Sequence, residues 1–146
     1  MNLALDHLEL AEEFYQAFRD LPAQGPRGIP VSWPRYFAFC HAIELSLKAY
    51  LLACGVGETE LRAPGVRHNL DVLLEKAVTA GLSVGALCQS ELQLLHQAHS
   101  RFWPRYPKTS GEPLFLIETF EPYLIELLCR VSDALRGPDQ RLYVKY

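Results

Sequence analysis

His41-Ala42-Ile43-Glu44-Leu45-Ser46-Leu47-Lys48-Ala49-Tyr50-Leu51-Leu52 is the stretch that decides the fold class. Its apolar residues leave no sustained strand-type alternation, and the surrounding pattern extends a helix from Ser32 or Arg35 to Cys54. A helix that is apolar on most sides belongs at the centre of a core. The run from Ala42 to Cys54 is interrupted by Glu44 and Lys48 and falls short of the roughly 20 apolar residues a membrane span needs. His41, Glu44 and Lys48 stand at i, i+3 and i+7. At about 100° per residue they fall within about 60° of one another. A polar stripe on such a helix needs an explanation, because unpaired buried charge is expensive. One reading is a Glu44–Lys48 pair at i, i+4 that only stabilises the helix. The other is a cleft or dimer seam where Lys48 meets an anion.

Three proline- and glycine-rich breaks separate this helix from its neighbours: Pro22 to Pro34, Gly55 to Arg67 and Pro104 to Pro113. Before the first break, Asn2 to Leu21 forms a helix. Leu8, Ala11, Phe14, Tyr15 and Phe18 make one stripe, with Glu9, Glu12, Glu13 and Gln16 mostly opposite. After the second, a helix begins near His68 or Asn69, carries Leu70, Leu73, Leu74 and Ala77 on one face, and ends at Gly81. A fourth lies within Ser83 to Trp103, with Ser90-Glu91-Leu92-Gln93 as a capping box that restarts it. A fifth starts near Thr119, accepts Pro122 in its first turn, buries Leu124, Leu127, Leu128, Val131 and Leu135, and stops at Gly137-Pro138. The expected architecture is all-α, an up-and-down four-helix bundle with short accessory helices in one domain spanning 1–146.

The composition agrees. Hydrophobic residues make up 49% and charged residues 21% of the 146, the balance of a packed domain rather than a disordered chain. Lys plus Arg is 14 against 17 Asp plus Glu, so the net charge of -3 excludes nucleic-acid binding driven by overall charge and leaves only a local basic patch. Cys40, Cys54, Cys88 and Cys129 are widely spaced, each in an apolar helical stretch, and support neither a disulfide framework nor a zinc site. Met1 to His7 lacks the basic start and apolar run of a secretory signal. The expectation is a reduced, cytoplasmic protein.

Two further motifs carry candidate chemistry. In Arg67-His68-Asn69-Leu70-Asp71, Asn69 or His68 can cap a helix and Asp71 suits its positive end. The same helix start, with Arg67 beside it, offers N–H groups to a phosphate. Capping explains His68 least. In Arg101-Phe102-Trp103-Pro104-Arg105-Tyr106-Pro107-Lys108, cations interleave with aromatics, an arrangement that holds phosphates while bases stack. The competing use is anchoring a loop to the core. Lys48, Arg67 and Arg105 are expected to face a common groove. His96 and His99 stand at i, i+3 near Glu91, without further His or Cys at ligand spacing, so neither a metal nor a cofactor is expected. No phosphate-binding glycine loop, nucleophile elbow or His-Glu-x-x-His is present.

Three blocks in order, His41 to Leu52, His68-Asn69-Leu70-Asp71-Val72-Leu73-Leu74 and Arg105-Tyr106-Pro107, resemble the HEPN superfamily of compact all-α domains. The superfamily is found in prokaryotic nucleotidyltransferase-partner proteins and RNA-directed defence systems. The resemblance covers about Arg35 to Pro107. It implies a helical bundle, usually a homodimer, with a polar groove for nucleotide or RNA at the dimer seam, and a nucleotidyltransferase as a partner protein. On that basis the ligand-binding set is His41, Glu44, Lys48, Arg67, His68, Asn69, Arg101, Arg105 and Tyr106.

The chain departs from the catalytic members. HEPN ribonucleases carry an Arg, four to six residues, then a His late in the domain, where the His moves a proton and the Arg stabilises the phosphorane. Here the last histidine is His99, and the two matches to the bare spacing, Arg35 with His41 and Arg62 with His68, lie early. On one helix, Arg35 and His41 would stand about 120° apart. Arg62 and His68 are separated by Pro64 and Gly65. The expected function is a non-catalytic HEPN-like module binding a nucleotide, RNA or a partner protein. The alternatives are a metal-independent endoribonuclease with a nonstandard Arg/His set and a ligand-free scaffold bundle.

Overall fold

A computed structural model describes residues 1–25, 32–101 and 116–137, with the side chains of 98–101 left aside. The described residues form helices and turns with no strand, so the chain is all-α. In order these are α1 (Leu3–Asp20), α2 (Trp33–Ala53), a single turn α3 (Glu58–Leu61), α4 (Leu70–Thr79), α5 (Ala86–Arg101), a 3₁₀ turn (Ile117–Phe120) and α6 (Glu121–Arg136).

Local chemistry sets most of these bounds. Asn2 caps α1, its side chain accepting from the Leu5 N–H. Ser32 caps α2 by accepting from Arg35 N–H, and Pro34 sits in the first turn, where its missing N–H costs nothing. Thus the last proline of the first break opens a helix. Asn69 caps α4 through the Val72 N–H. Gly137 follows α6 with φ of 87°, a conformation that ends a helix with little strain only at glycine. The Ser90 capping box does not form. α5 runs unbroken past it, because the Ser90 hydroxyl donates back to the Ala86 carbonyl instead of capping ahead.

α2 is the central element. It packs along α1 and also touches α4 and α6. Buried side chains surround it: Phe39, Ala42, Ile43, Leu47, Ala49 and Leu51 are all nearly or wholly sequestered. α1 and α2 run antiparallel, with Phe18 against Phe39 and, one turn earlier on α1, Phe14 against His41. Their far ends, Leu3 and Ala4 with Leu52 and Ala53, meet Ala134 and Leu135 of α6 around one surface cavity. α5 runs antiparallel to α6, since Gly85 N–H donates to Glu126 and the Cys88 thiol reaches the Tyr123 carbonyl. The predicted core face of α4, Leu70, Leu73, Leu74 and Ala77, is buried, as are Leu124, Leu127, Leu128 and Val131 of α6. Leu135 is only partly buried.

Two expectations fail. Glu12, assigned to the polar side of α1, is buried, because α6 covers that side and brings Arg136 into an ion pair with it. Burial pushes the Glu12 carboxyl up despite that partner. The cysteines also differ: Cys40 and Cys88 are buried, Cys129 is half-buried, and Cys54 is exposed just beyond the end of α2. No helix among the described residues is long and apolar enough to cross a membrane.

Candidate functional site

The polar stripe of α2 meets the segment preceding α4 at one carboxylate. Glu44 lies in the middle of α2, with its side chain only 4% exposed. Lys48, one turn on, donates from Nζ to Glu44 Oε1 at 2.7 Å. His68 arrives from the other segment, its Nδ1 at 3.2 Å from Oε1 and 3.3 Å from Oε2. His41, one turn before, places Nδ1 at 3.7 Å from Oε2, an ion-pair distance rather than a hydrogen bond. Three nitrogen groups therefore converge on a single buried carboxylate.

The caps explain how this arises. Ser32 and Pro34 start α2 at a fixed point, which fixes the register of positions 41, 44 and 48 along it. Asn69 starts α4, so the residue before it, His68, is held at the helix entrance facing α2. The Gly55 to Arg67 break is ordered rather than open. It contains α3, and the Arg67 N–H donates to the Ala63 carbonyl as the chain turns.

Electrostatics follows from the packing. Burial alone pushes the Glu44 carboxyl up, but the contacts from His41 and Lys48 and the charge of His68 outweigh it and hold the group at about 2. The same charge pushes the buried Cys40 thiol upward, with desolvation as the larger cause. Exposure rises outward through the cluster: Lys48 is 13% exposed, His41 25% and His68 41%. The rim of the cluster is imidazole, and its floor is the carboxylate.

His41 is also gripped by aromatics. Phe14 of α1 meets it edge-on at 4.6 Å, and Phe37 stacks on it at 5.3 Å. Phe37 was legible as a neighbour, since it stands at i−4 from His41 on the same helix. Phe14 was not, because its apolar spacing assigns it equally well to the core.

Of the candidate residues, His41, Glu44, Lys48 and His68 come together. Asn69 is a cap whose side-chain oxygen is occupied by the Val72 N–H. Arg67 is exposed next to His68. Arg105 and Tyr106, and the side chain of Arg101, lie outside the described residues, as does the common groove they were to share with Lys48 and Arg67. Both Arg-to-His spacings are split. Arg35 is buried, donates from Nε to the Phe18 carbonyl at 3.0 Å, stacks over the Phe18 ring at 4.0 Å and pairs with Glu118. Arg62 is exposed and pairs with Glu58 at 3.1 Å. Neither reaches the histidine that follows it.

Among the described residues, no group of three or more His, Cys, Asp or Glu is placed to hold a metal ion. His41, Glu44 and His68 are turned toward one another, with the Lys48 ammonium already on the carboxylate. His96 has a buried Nδ1 with no hydrogen-bond partner among the described residues, and its imidazole is pushed down chiefly by burial. Comparison with protein-family models, with curated proteins and with solved structures finds no match to this chain.

Proposed function

We propose that the chain is a non-catalytic binding module of HEPN type, a cytoplasmic homodimer built as an up-and-down helical bundle, that takes a nucleotide or RNA. Its phosphates would meet the face formed by His41, Lys48 and His68 around Glu44. One observation carries the reading: imidazoles from two separate segments converge with an ammonium on one buried carboxylate. A Glu44–Lys48 pair needs no further partner to stabilise α2. Two added imidazoles at the rim, each partly open to solvent, supply groups able to donate to phosphate oxygens.

A ribonuclease is disfavoured by the same geometry. The Arg35 and Arg62 guanidiniums are committed to Glu118 and Glu58, away from His41 and His68. A scaffold without ligand would leave the exposed imidazole rim without a use.

The test is fluorescence anisotropy with a labelled hexauridylate and with labelled adenosine monophosphate across a salt series. Binding should weaken with salt, with a log–log slope near −0.7 per phosphate engaged on single-stranded RNA. His68→Ala should weaken it further. Absence of binding to both probes at low salt would remove this reading.

A further inference from the structure

We propose that protons are co-ligands of this face, so that its affinity for an anion is set by the charge on His41 and His68 rather than by Lys48. The inference rests on the anion-binding reading above and specifies how that site is regulated.

The argument begins with cancellation. Lys48 Nζ sits 2.7 Å from Glu44 Oε1, and both side chains are largely buried, so the pair presents no net charge to a ligand. Glu44 is ionised throughout the physiological range, because its contacts hold the carboxyl at about 2. The pair is thus a fixed, neutral floor. The groups that an incoming phosphate meets first are the two imidazoles at the rim. Imidazole is the one side chain whose ordinary charge change falls between about pH 5 and 8.

The surroundings of each ring permit that change. Against His41 stand Phe14 from α1 and Phe37 and Glu44 from α2, a carboxylate and two aromatic rings that all tolerate an imidazolium. Cys40, a buried neutral thiol on α2, lies one turn from Glu44. Against His68 stands Glu44 from α2, with Arg67 and Asp71 flanking it in its own segment. The positive end of α4 opposes charge on His68, while the Glu44 carboxylate favours it. Each imidazole that gains a proton adds one positive charge to a site that otherwise has none to spare.

The probe must keep its own charge constant, so hexauridylate, whose phosphodiesters do not titrate in this window, is preferred to inorganic phosphate. Affinity is measured at fixed ionic strength between about pH 5.5 and 8.5. It should tighten as pH falls, roughly tenfold for each imidazole that becomes a charged donor. Calorimetry in two buffers of different ionisation enthalpy should register proton uptake on binding, a readout needing no variant. A His41→Gln, His68→Gln double variant should flatten the profile, whereas His7→Gln, a ring hydrogen-bonded to the Leu3 carbonyl elsewhere on α1, should leave it intact. Binding of equal strength at both ends of the range overturns the proton linkage and leaves the anion site standing. A double variant that keeps the full pH dependence overturns it too. No binding at any pH removes both.

Discussion

At the scale of single residues, Glu44 is the group on which the rest depends. It is buried, ionised, and held by two segments at once. Replacing it as Glu44→Gln leaves Lys48 and two imidazoles without their common acceptor. Removing one member of a buried pair costs about 3–5 kcal/mol, and the partial exposure of the partners reduces that here to about 1–3 kcal/mol. The sign of the pH effect follows from the carboxyl's position at about 2 against an ordinary 4.5. A depressed value in the folded state stabilises fully above 4.5, and that stabilisation is lost as pH falls from 4.5 toward 2. Urea unfolding should therefore find the gap between wild type and Glu44→Gln widest near neutrality and shrinking through this acid window. A gap that is the same at about pH 3 and pH 7 would mean Glu44 gains nothing from its partners. The i, i+3, i+7 stripe was legible in the sequence, because helical spacing alone places those side chains together. His68 joining them was not, since spacing says nothing about which distant segment crosses a helix.

At the scale of elements, capping carried most of the legible information. Asn2, Ser32 and Asn69 announce helix starts through short polar side chains just before apolar periodicity, and each accepts an N–H of the first turn. Ser90 carries the same signature and does not cap, because a hydroxyl inside a continuous helix bonds to the carbonyl one turn back. α3 was hidden for a different reason: one turn flanked by Gly55, Gly57 and Gly65 has too few residues to show a period. The α4 cap has a consequence beyond its own helix, because His68 is positioned by where α4 begins. Asn69→Ala should cost about 1 kcal/mol, within a range of roughly 0.5–2, by exposing the Val72 N–H to an unpaired state. It should also loosen the His68–Glu44 contact. Asn69→Asp keeps the acceptor and adds negative charge at the positive end of α4, so its unfolding midpoint should stay close to wild type. Equal losses for both substitutions would show that the amide, rather than the acceptor, is what the position needs.

At the scale of the whole molecule, long-range ion pairs decide which chemistry the fold can perform. Arg35 joins the end of α1, the start of α2 and the 3₁₀ turn before α6, through the Phe18 carbonyl, the Phe18 ring and Glu118. Arg136 joins α6 to α1 through Glu12. A guanidinium used as such a clamp cannot also stabilise a phosphorane beside His41, which faces Phe14, Phe37 and Glu44. Arg62, exposed and paired with Glu58, stands apart from His68 in the same way. The protein should therefore bind RNA without cleaving it when incubated in the absence of metal. A positioned proton-transfer group contributes about 10²–10⁴-fold in rate. Loss of a charge-stabilising donor costs a further ~10²–10³-fold by analogy with an oxyanion hole. These factors do not multiply cleanly, yet either one places a modest nuclease below detection. The deciding measurement compares wild type, His41→Ala and His68→Ala on single-stranded and structured RNAs. Cleavage by wild type that disappears in either variant would assign the imidazoles a catalytic role and require a cation other than Arg35 or Arg62. Cleavage that survives both would exclude His41 and His68 as its source. Intact RNA in every reaction, with binding retained by wild type, is the outcome that the Arg35 and Arg62 pairings require.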